Sequence, residues 1–158
     1  MYRKIHRYNL LERLEKDIQH RAPTKDRKFV VEGPWKMFVR KQAGLNIYAV
    51  DGEWVRSNLS VIYGHGGHGY VHEFIPVDEI WVDINHYRNS NYDCGCSTRY
   101  KGGKVSKYFF NEVVRHEIAE FEAMEDGIPY WKAHQIACEK EKEDDEPPIS
   151  TAKVDVPK

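Results

Sequence analysis

The stretch that decides the fold is residues 106–127, with the sequence SKYFFNEVVRHEIAEFEAMEDG. Its apolar side chains recur every three to four residues, which is the spacing of a helix that buries one face. Gly127 suits the end of this helix, and Pro129 suits the first turn of a second helix that follows directly. The sequence therefore predicts a helical hairpin in the C-terminal part of the chain.

The first predicted helix carries three ionisable residues within its apolar stripe. At ~100° per residue, His116, Glu117 and Glu120 fall on the same side as the apolar side chains. Burial of an unpaired charge is costly, and a divalent cation would compensate for that cost. His116 and Glu120 lie one turn apart, so both can reach a single ion, and Glu117 beside them is a candidate general base. The apolar members of the stripe are Phe109, Phe110, Val113, Val114, Phe121, Ala123 and Met124, and the opposite side holds Glu112, Arg115, Ala119, Glu122 and Asp126.

The second predicted helix supplies a further candidate ligand. Antiparallel packing about Gly127 places His134 level with Glu120 and Cys138 level with His116. His134 is therefore the predicted third ligand. Cys138 is interpreted as packing filler rather than as a thiolate ligand. The inward arc of this helix comprises Tyr130, Trp131, His134, Ala137, Cys138 and Glu141.

Glu141 follows His134 by two turns on that arc. We predict it to be a hydrogen-bond acceptor that orients a ligand imidazole, with direct ligation as the alternative. A metal-free interpretation of the whole cluster also stands, in which His116, Glu120, His134 and Glu141 satisfy one another as a buried polar network.

Two upstream segments add candidates for an outer shell. Residues 64–72 combine His65, His68 and His72 with four glycines, and His68 is the histidine that we select as an outer-shell candidate. Such histidines can bind a metal or polarise a carbonyl, whereas a flexible turn with solvated histidines is the alternative. Asp83 ends a predicted strand, with Ile80 and Val82 on one face and Glu79, Trp81 and Asp83 on the other. Asp83 is a candidate acceptor for a ligand histidine or, alternatively, a turn cap.

The remaining sequence predicts an α+β fold. Residues 2–20 have the spacing of an amphipathic N-terminal helix, and a small, mostly antiparallel sheet follows. We predict a hairpin turn at Asp51-Gly52, strands at 60–63, 70–75 and 79–84, and a long loop over 86–106. Residues 1–141 form one predicted domain, and residues 142–158 form a predicted disordered tail that is rich in acidic residues and proline.

Composition limits the classes of partner. Because 24 basic side chains balance 25 acidic ones, no field attracts nucleic acid or an anionic membrane, and neither is an expected partner. No apolar run approaches the ~18 residues of a membrane span, and no signal peptide is recognisable, so we expect a cytoplasmic protein. Three cysteines do not make a disulfide framework, and Cys94 and Cys96 are interpreted as loop thiols rather than as a metal clip.

The motif His116-Glu117-x-x-Glu120 resembles the active-site helix of zincin-like metallopeptidases, which carries His-Glu-x-x-His. Together with residues 79–83 and 130–141, it is similar to small prokaryotic and phage proteins with a zincin-like core. This resemblance implies zinc bound by His116, Glu120 and His134, an open fourth position, and Glu117 as the base that activates water. It also implies a peptide or protein substrate held along a sheet edge. Glutamate in the position of the second histidine makes the site harder, so Mn²⁺ and Fe²⁺ are alternatives to Zn²⁺.

The predicted function is therefore a minimal metal-dependent hydrolase that cleaves a peptide or amide bond. One alternative is a non-catalytic domain in which a structural metal pins the hairpin to the sheet. Another is a phage or mobile-element accessory protein that binds a host protein through its basic N-terminal helix.

Overall fold

The computed structural model describes residues 32–86, 100–101 and 104–143, together with Arg13, Asp17 and His20. Only the backbone is described at residues 100, 101, 104 and 141–143. In these residues the chain is α+β, as predicted. The strands are β1 (Lys36–Gln42), β2 (Leu45–Val50), β3 (Gly66–His68), β4 (Glu79–Asp83), β5 (Tyr100–Lys101) and β6 (Lys104–Val105). The helices are α1 (Gly52–Asn58), α2 (Lys107–Glu125) and α3 (Tyr130–Glu143).

Four strands form a mixed sheet in the order β1-β2-β4-β3. The β1–β2 and β3–β4 pairs are antiparallel, whereas β2 and β4 are parallel. The prediction of a mostly antiparallel sheet did not include this parallel pair. Parallel neighbours need a long crossover connection, and here the chain between β2 and β4 contains α1 and β3.

The hairpin turn lies at Ala43-Gly44 and not at Asp51-Gly52, so that prediction was wrong. Ala43 and Gly44 have φ values of 51° and 77°, the left-handed conformation that two-residue hairpin turns require. Asp51 instead caps α1, because its Oδ1 accepts hydrogen bonds from the backbone N–H groups of Glu53 and Trp54 at 3.0 and 3.2 Å. Aspartate before glycine is as suitable for a helix N-cap as for a turn.

The predicted strands at 60–63 and 70–75 are also wrong, since these residues form turns. A strand forms instead at Gly66–His68, inside the segment for which a flexible turn was an alternative. Glycine has low strand propensity, but Gly66 lies directly against α2: a Cβ atom there would be 2.7 Å from both Glu117 Oε1 and Val113 Cγ1. Close packing against a helix overrides local propensity here.

The predicted helical hairpin is present. Ser106 Oγ caps α2 by accepting a hydrogen bond from Phe109 N at 3.2 Å. At the other end Gly127 has φ 88°, and Ile128 N and Gly127 N donate to the carbonyls of Ala123 and Met124. This is the Schellman arrangement, which requires a left-handed residue after the helix. It turns the chain so that α3 packs back along α2.

The hairpin covers one face of the sheet. Ile80 and Val82 of β4 point to α2, whereas Trp81 points to the opposite face, as the alternation predicts. All the predicted stripe residues of α2 are buried, and so is Ala119, which was assigned to the outer side. Because α2 contacts both the sheet and α3, its buried arc is wider than a single stripe. The opposite face packs Trp35, Val50, Val55, Tyr63, Ile75 and Trp81.

Several predicted features fall outside the described residues. Arg13, Asp17 and His20 are helical and exposed, in agreement with the N-terminal helix, but its other residues are not described. The predicted loop of 86–106 contains the short antiparallel β5–β6 pair, and Cys94 and Cys96 lie outside the description, as do residues 144–158. Within the described part of the chain, no helix has the length and apolar character that crossing a membrane requires.

Substitution of Gly66 tests the contact between β3 and α2. We expect Gly66→Ala to lower the free energy of unfolding by about 1–3 kcal/mol, because its methyl group overlaps Val113. Urea denaturation measures the change. Gly64→Ala is the matched control, since a Cβ there meets nothing within 4 Å and should alter stability by less than about 0.5 kcal/mol. Equal effects of the two substitutions would contradict the close approach.

Candidate metal centre

The hairpin brings the side chains of His116, Glu120 and His134 into a triangle. His134 Nδ1 lies 2.8 Å from Glu120 Oε2, His116 Nε2 lies 3.2 Å from His134 Nδ1, and His116 Nε2 lies 3.3 Å from Glu120 Oε2. His116 and Glu120 are one turn apart on α2, and His134 of α3 lies level with Glu120. These are the positions that antiparallel packing about Gly127 predicts.

The triangle has the dimensions of a metal site. Ligand atoms at about 2.0–2.1 Å from a tetrahedral ion lie about 3.3 Å from one another. Two edges of the triangle, 3.2 and 3.3 Å, match this spacing. The third edge, at 2.8 Å, needs only a small opening. Two imidazole nitrogens and one carboxylate oxygen also form a donor set that zinc and related divalent ions accept.

No placement of protons makes all three pairs of the triangle attractive. If both nitrogens carry a proton and donate to Glu120 Oε2, both hydrogen bonds can form, and the two N–H groups lie side by side with their nitrogens 3.2 Å apart. If only His134 Nδ1 is protonated, the lone pair of His116 Nε2 faces the Glu120 oxygen at 3.3 Å. If only His116 is protonated, the same conflict arises at 2.8 Å. A cation would accept a lone pair from each of the three atoms, so the triangle suits a metal site as well as a metal-free network.

Glu120 is held as an anion. Burial of this carboxyl, which is 3% exposed, would by itself raise its pKa. Hydrogen bonds with His116, His68 and His134 outweigh burial and lower the pKa from 4.5 to about 2. A buried carboxylate that stays ionised is the form that binds a cation.

His68 holds the second oxygen of Glu120. It is completely buried and its Nε2 lies 3.0 Å from Glu120 Oε1. Tyr70 N donates a hydrogen bond to His68 Nδ1 at 3.3 Å, so the proton of the neutral ring is on Nε2 and is donated to Glu120. His68 therefore fixes Oε1 and leaves Oε2 directed at His116 and His134. A metal bound at Oε2 would have His68 in its outer shell, and that role stays a prediction.

His68, Glu117 and Glu120 also form a group whose ligand atoms lie within 4.8 Å of one another. As a ligand through Nε2, however, His68 would carry its proton on Nδ1, where Tyr70 N already donates. The tautomer therefore favours His68 as a hydrogen-bond donor over a second metal site. Glu117 remains as a carboxylate that lies next to Glu120 and has no place in the triangle.

The triangle opens onto a cleft of about 460 Å³. Glu117, Glu120 and four histidines (His65, His72, His116 and His134) line it, and none of the described lining residues is Lys or Arg. Glu117 is 8% exposed, and its Oε1 approaches β3 at Gly66. The cleft is thus negatively charged at its base, which attracts a cation. Ile62, Val71, Phe109, Val113 and Tyr130 supply apolar walls.

His134 and Trp131 are more exposed than the helical projection suggested. The His134 side chain is 46% exposed and lies at the rim of the cleft, while Trp131, assigned to the inward arc, is 50% exposed. Among the side chains of α3 that the structure describes, residues 130–140, the buried ones are Ala133 and Ala137. Two alanines let α3 approach α2 closely, and this rotates the inward arc away from Trp131.

Asp83 lies in a different set of contacts. Its carboxylate accepts hydrogen bonds from Gly52 N and Asn85 N and from Arg56 Nη1 at 2.9 Å, and it lies 2.6 Å from His86 Nδ1. These contacts join β4 to α1. They correspond to the alternative interpretation of Asp83 as a turn cap. The side chain of Glu141 is outside the described residues, so its predicted role stays a prediction.

Sequence reasoning left Cys138 and Tyr70 out of the site. Cys138 Sγ lies within 4.8 Å of imidazole nitrogens of both His116 and His134. Its position level with His116 and one turn from His134 was recognisable from sequence, but it was assigned to packing. The Tyr70 N–H that sets the tautomer of His68 is a backbone group in a turn. No side-chain pattern could have indicated that contact.

Comparisons of the chain with models of protein families, with curated proteins and with solved structures find no match in any of the three. Membership of a zincin-like family therefore stays a prediction. Function is inferred below from the geometry of the site.

Substitution of His68 tests its hold on Glu120. His68→Leu retains the bulk of the ring but removes the donor, and we expect it to weaken zinc binding by about 10–100-fold. His68→Gln is the conservative control, because its amide N–H can reach Glu120 Oε1, and it should retain most of the affinity. Isothermal titration with Zn²⁺ measures both. Affinity of the leucine variant equal to that of the unsubstituted protein would contradict the assigned role.

Proposed function

We propose that this protein is a metal-dependent hydrolase that cleaves a peptide or amide bond, with His116, Glu120 and His134 holding the metal. The observation that carries the proposal is the position of Glu117. Its carboxylate lines the same cleft as the triangle and lies within 4.8 Å of a carboxylate oxygen of Glu120, while the triangle uses the other three groups. A carboxylate that lines the cleft beside the three candidate ligands is in the position that a general base would occupy.

The residues divide the chemistry between them. A divalent ion held by His116, Glu120 and His134 would polarise a carbonyl group and lower the pKa of water. Glu117 accepts the proton of the attacking water as its oxygen adds to the carbonyl carbon. The same carboxyl then donates that proton to the departing amine as the C–N bond breaks. Glu120 would stay ionised throughout, because His68 contacts its Oε1 and its Oε2 would face the ion.

The sheet supplies support for a peptide substrate. Among the described strands β3 is the last in the sheet order, next to β4, and its Gly66 and Gly67 line the cleft. An edge strand offers backbone N–H and C=O groups to an extended peptide, which pairs as an added strand. The absence of side chains at Gly66 and Gly67 allows that backbone to come close. The apolar wall of Ile62, Val71 and Val113 favours apolar side chains near the cleaved bond.

A structural metal site is the second candidate, and one observation favours it. His116 and Glu120 lie on α2 and His134 lies on α3, while Glu120 is bonded to His68 on β3. A metal held there would cross-link three elements and stabilise the fold by its binding free energy. The third hypothesis, a host-protein contact through the N-terminal helix, concerns residues that are mostly outside the description and stays a prediction.

Substitution of Glu117 separates hydrolysis from metal binding. In zinc-loaded protein, we expect Glu117→Gln to lower the cleavage rate of a mixed-sequence, internally quenched fluorescent peptide library by about 10²–10⁴-fold. Its zinc content should not change, because Glu117 is not part of the triangle. Glu122→Gln, on the exposed side of the same helix, is the matched control and should keep full activity.

Two results would contradict this assignment. Unchanged cleavage by the Glu117→Gln variant would remove Glu117 as the base. Zinc-loaded protein that cleaves nothing in the library, but unfolds when a chelator removes the zinc, would favour the structural site.

A further inference from the structure

Cys138 lies one turn after His134 on α3 and is a half-buried free thiol. Its Sγ, a nitrogen of His116 and a nitrogen of His134 all lie within 4.8 Å of one another. This group comes from two helices, so its closeness is a product of the fold and not of the sequence spacing alone. The rings of His116 and His134 are in contact, with centroids 4.8 Å apart at 68°.

Two sets of ligands therefore share the same two histidines. One set adds the Glu120 oxygen, which lies 2.8 Å from His134 Nδ1. The other set adds the Cys138 sulfur. A carboxylate oxygen is a hard ligand that manganese and iron(II) accept, whereas a thiolate is soft and selects zinc and other thiophilic ions. His116 is about nine-tenths buried, whereas the His134 side chain is 46% exposed at the rim of the cleft.

We propose that the Cys138 thiolate is a further ligand of the ion held by His116 and His134, and that it makes the site selective for zinc over manganese. This inference rests on the metal site of the proposed function. It reverses the expectation from Glu120 alone, in which a harder site tolerates manganese and iron. It also replaces the interpretation of Cys138 as packing filler.

The proposal has a consequence for the coordination of the ion. An ion that took Cys138 in addition to His116, Glu120 and His134 would have four protein ligands, the closed set that structural zinc sites have. Hydrolysis needs an open position. Cys138 would therefore have to leave the ion for hydrolysis to proceed, and its removal should leave an open site of lower zinc affinity.

The three cysteines of the chain make a clean spectroscopic test available. The double variant Cys94→Ser/Cys96→Ser keeps Cys138 as its one thiol. We expect this variant, loaded with Co²⁺ in place of zinc, to show a thiolate-to-cobalt charge-transfer band in the near ultraviolet. The triple variant that adds Cys138→Ser should lose that band and keep the visible bands of cobalt bound by nitrogen and oxygen.

A competition measurement tests the selectivity. Relative to the double variant, the triple variant should bind zinc roughly tenfold or more weakly, with manganese affinity unchanged because manganese gains little from a thiolate. Visible bands of bound cobalt without a charge-transfer band in the double variant would overturn the role of Cys138 and leave the metal site intact. Failure of the double variant and of the unsubstituted chain to take up cobalt or zinc would overturn the proposed function as well.

Discussion

The buried carboxylate of Glu120 is the group on which the arrangement of the C-terminal half depends. Its Oε1 accepts a hydrogen bond from His68 on β3, and its Oε2 lies against His134 on α3. One side chain of α2 thus connects the sheet edge and the second helix of the hairpin. An isolated ion in such a place is strongly destabilising, so every neighbour of Glu120 is constrained to compensate its charge.

This constraint orders the rest of the site. Because the Tyr70 N–H occupies Nδ1 of His68, that ring can only donate to Glu120, and Oε2 is left for the pair of histidines. His116 and His134 then face each other and one oxygen at distances of 2.8–3.3 Å. Three lone-pair atoms directed at one point repel unless a proton or a metal ion lies between them, and a single proton satisfies only part of the triangle. Glu117 adds a second buried carboxylate, which increases the attraction for a divalent cation.

The hairpin and most of its site could be predicted from sequence. Helical spacing identifies the buried side of α2, Gly127 identifies its end, and counting outward from that turn pairs His134 with Glu120. These features depend on local periodicity and on one glycine turn, and both can be recognised in the sequence. The exposure of Trp131 was missed because two alanines set the rotation of α3, and rotation depends on how closely two helices pack.

The sheet was less predictable because its signals are not local. Asp51-Gly52 is equally suited to a hairpin turn and to a helix cap. Which of the two forms depends on Asp83, which lies 31 residues further along the chain and accepts a hydrogen bond from Gly52 N. The β3 strand forms in a glycine-rich segment that has little strand propensity, since its partners β4 and α2 hold it.

The central claim is that this packing creates a metal site, and metal content tests it most directly. After exposure to Zn²⁺ and dialysis, the protein and its Gln135→Ala control, exposed on α3, should retain about one ion per chain, and His116→Ala and His134→Ala should retain almost none. The claim of a metal site would be contradicted if both histidine variants retained as much zinc as the unsubstituted protein, or if none of the four proteins retained zinc.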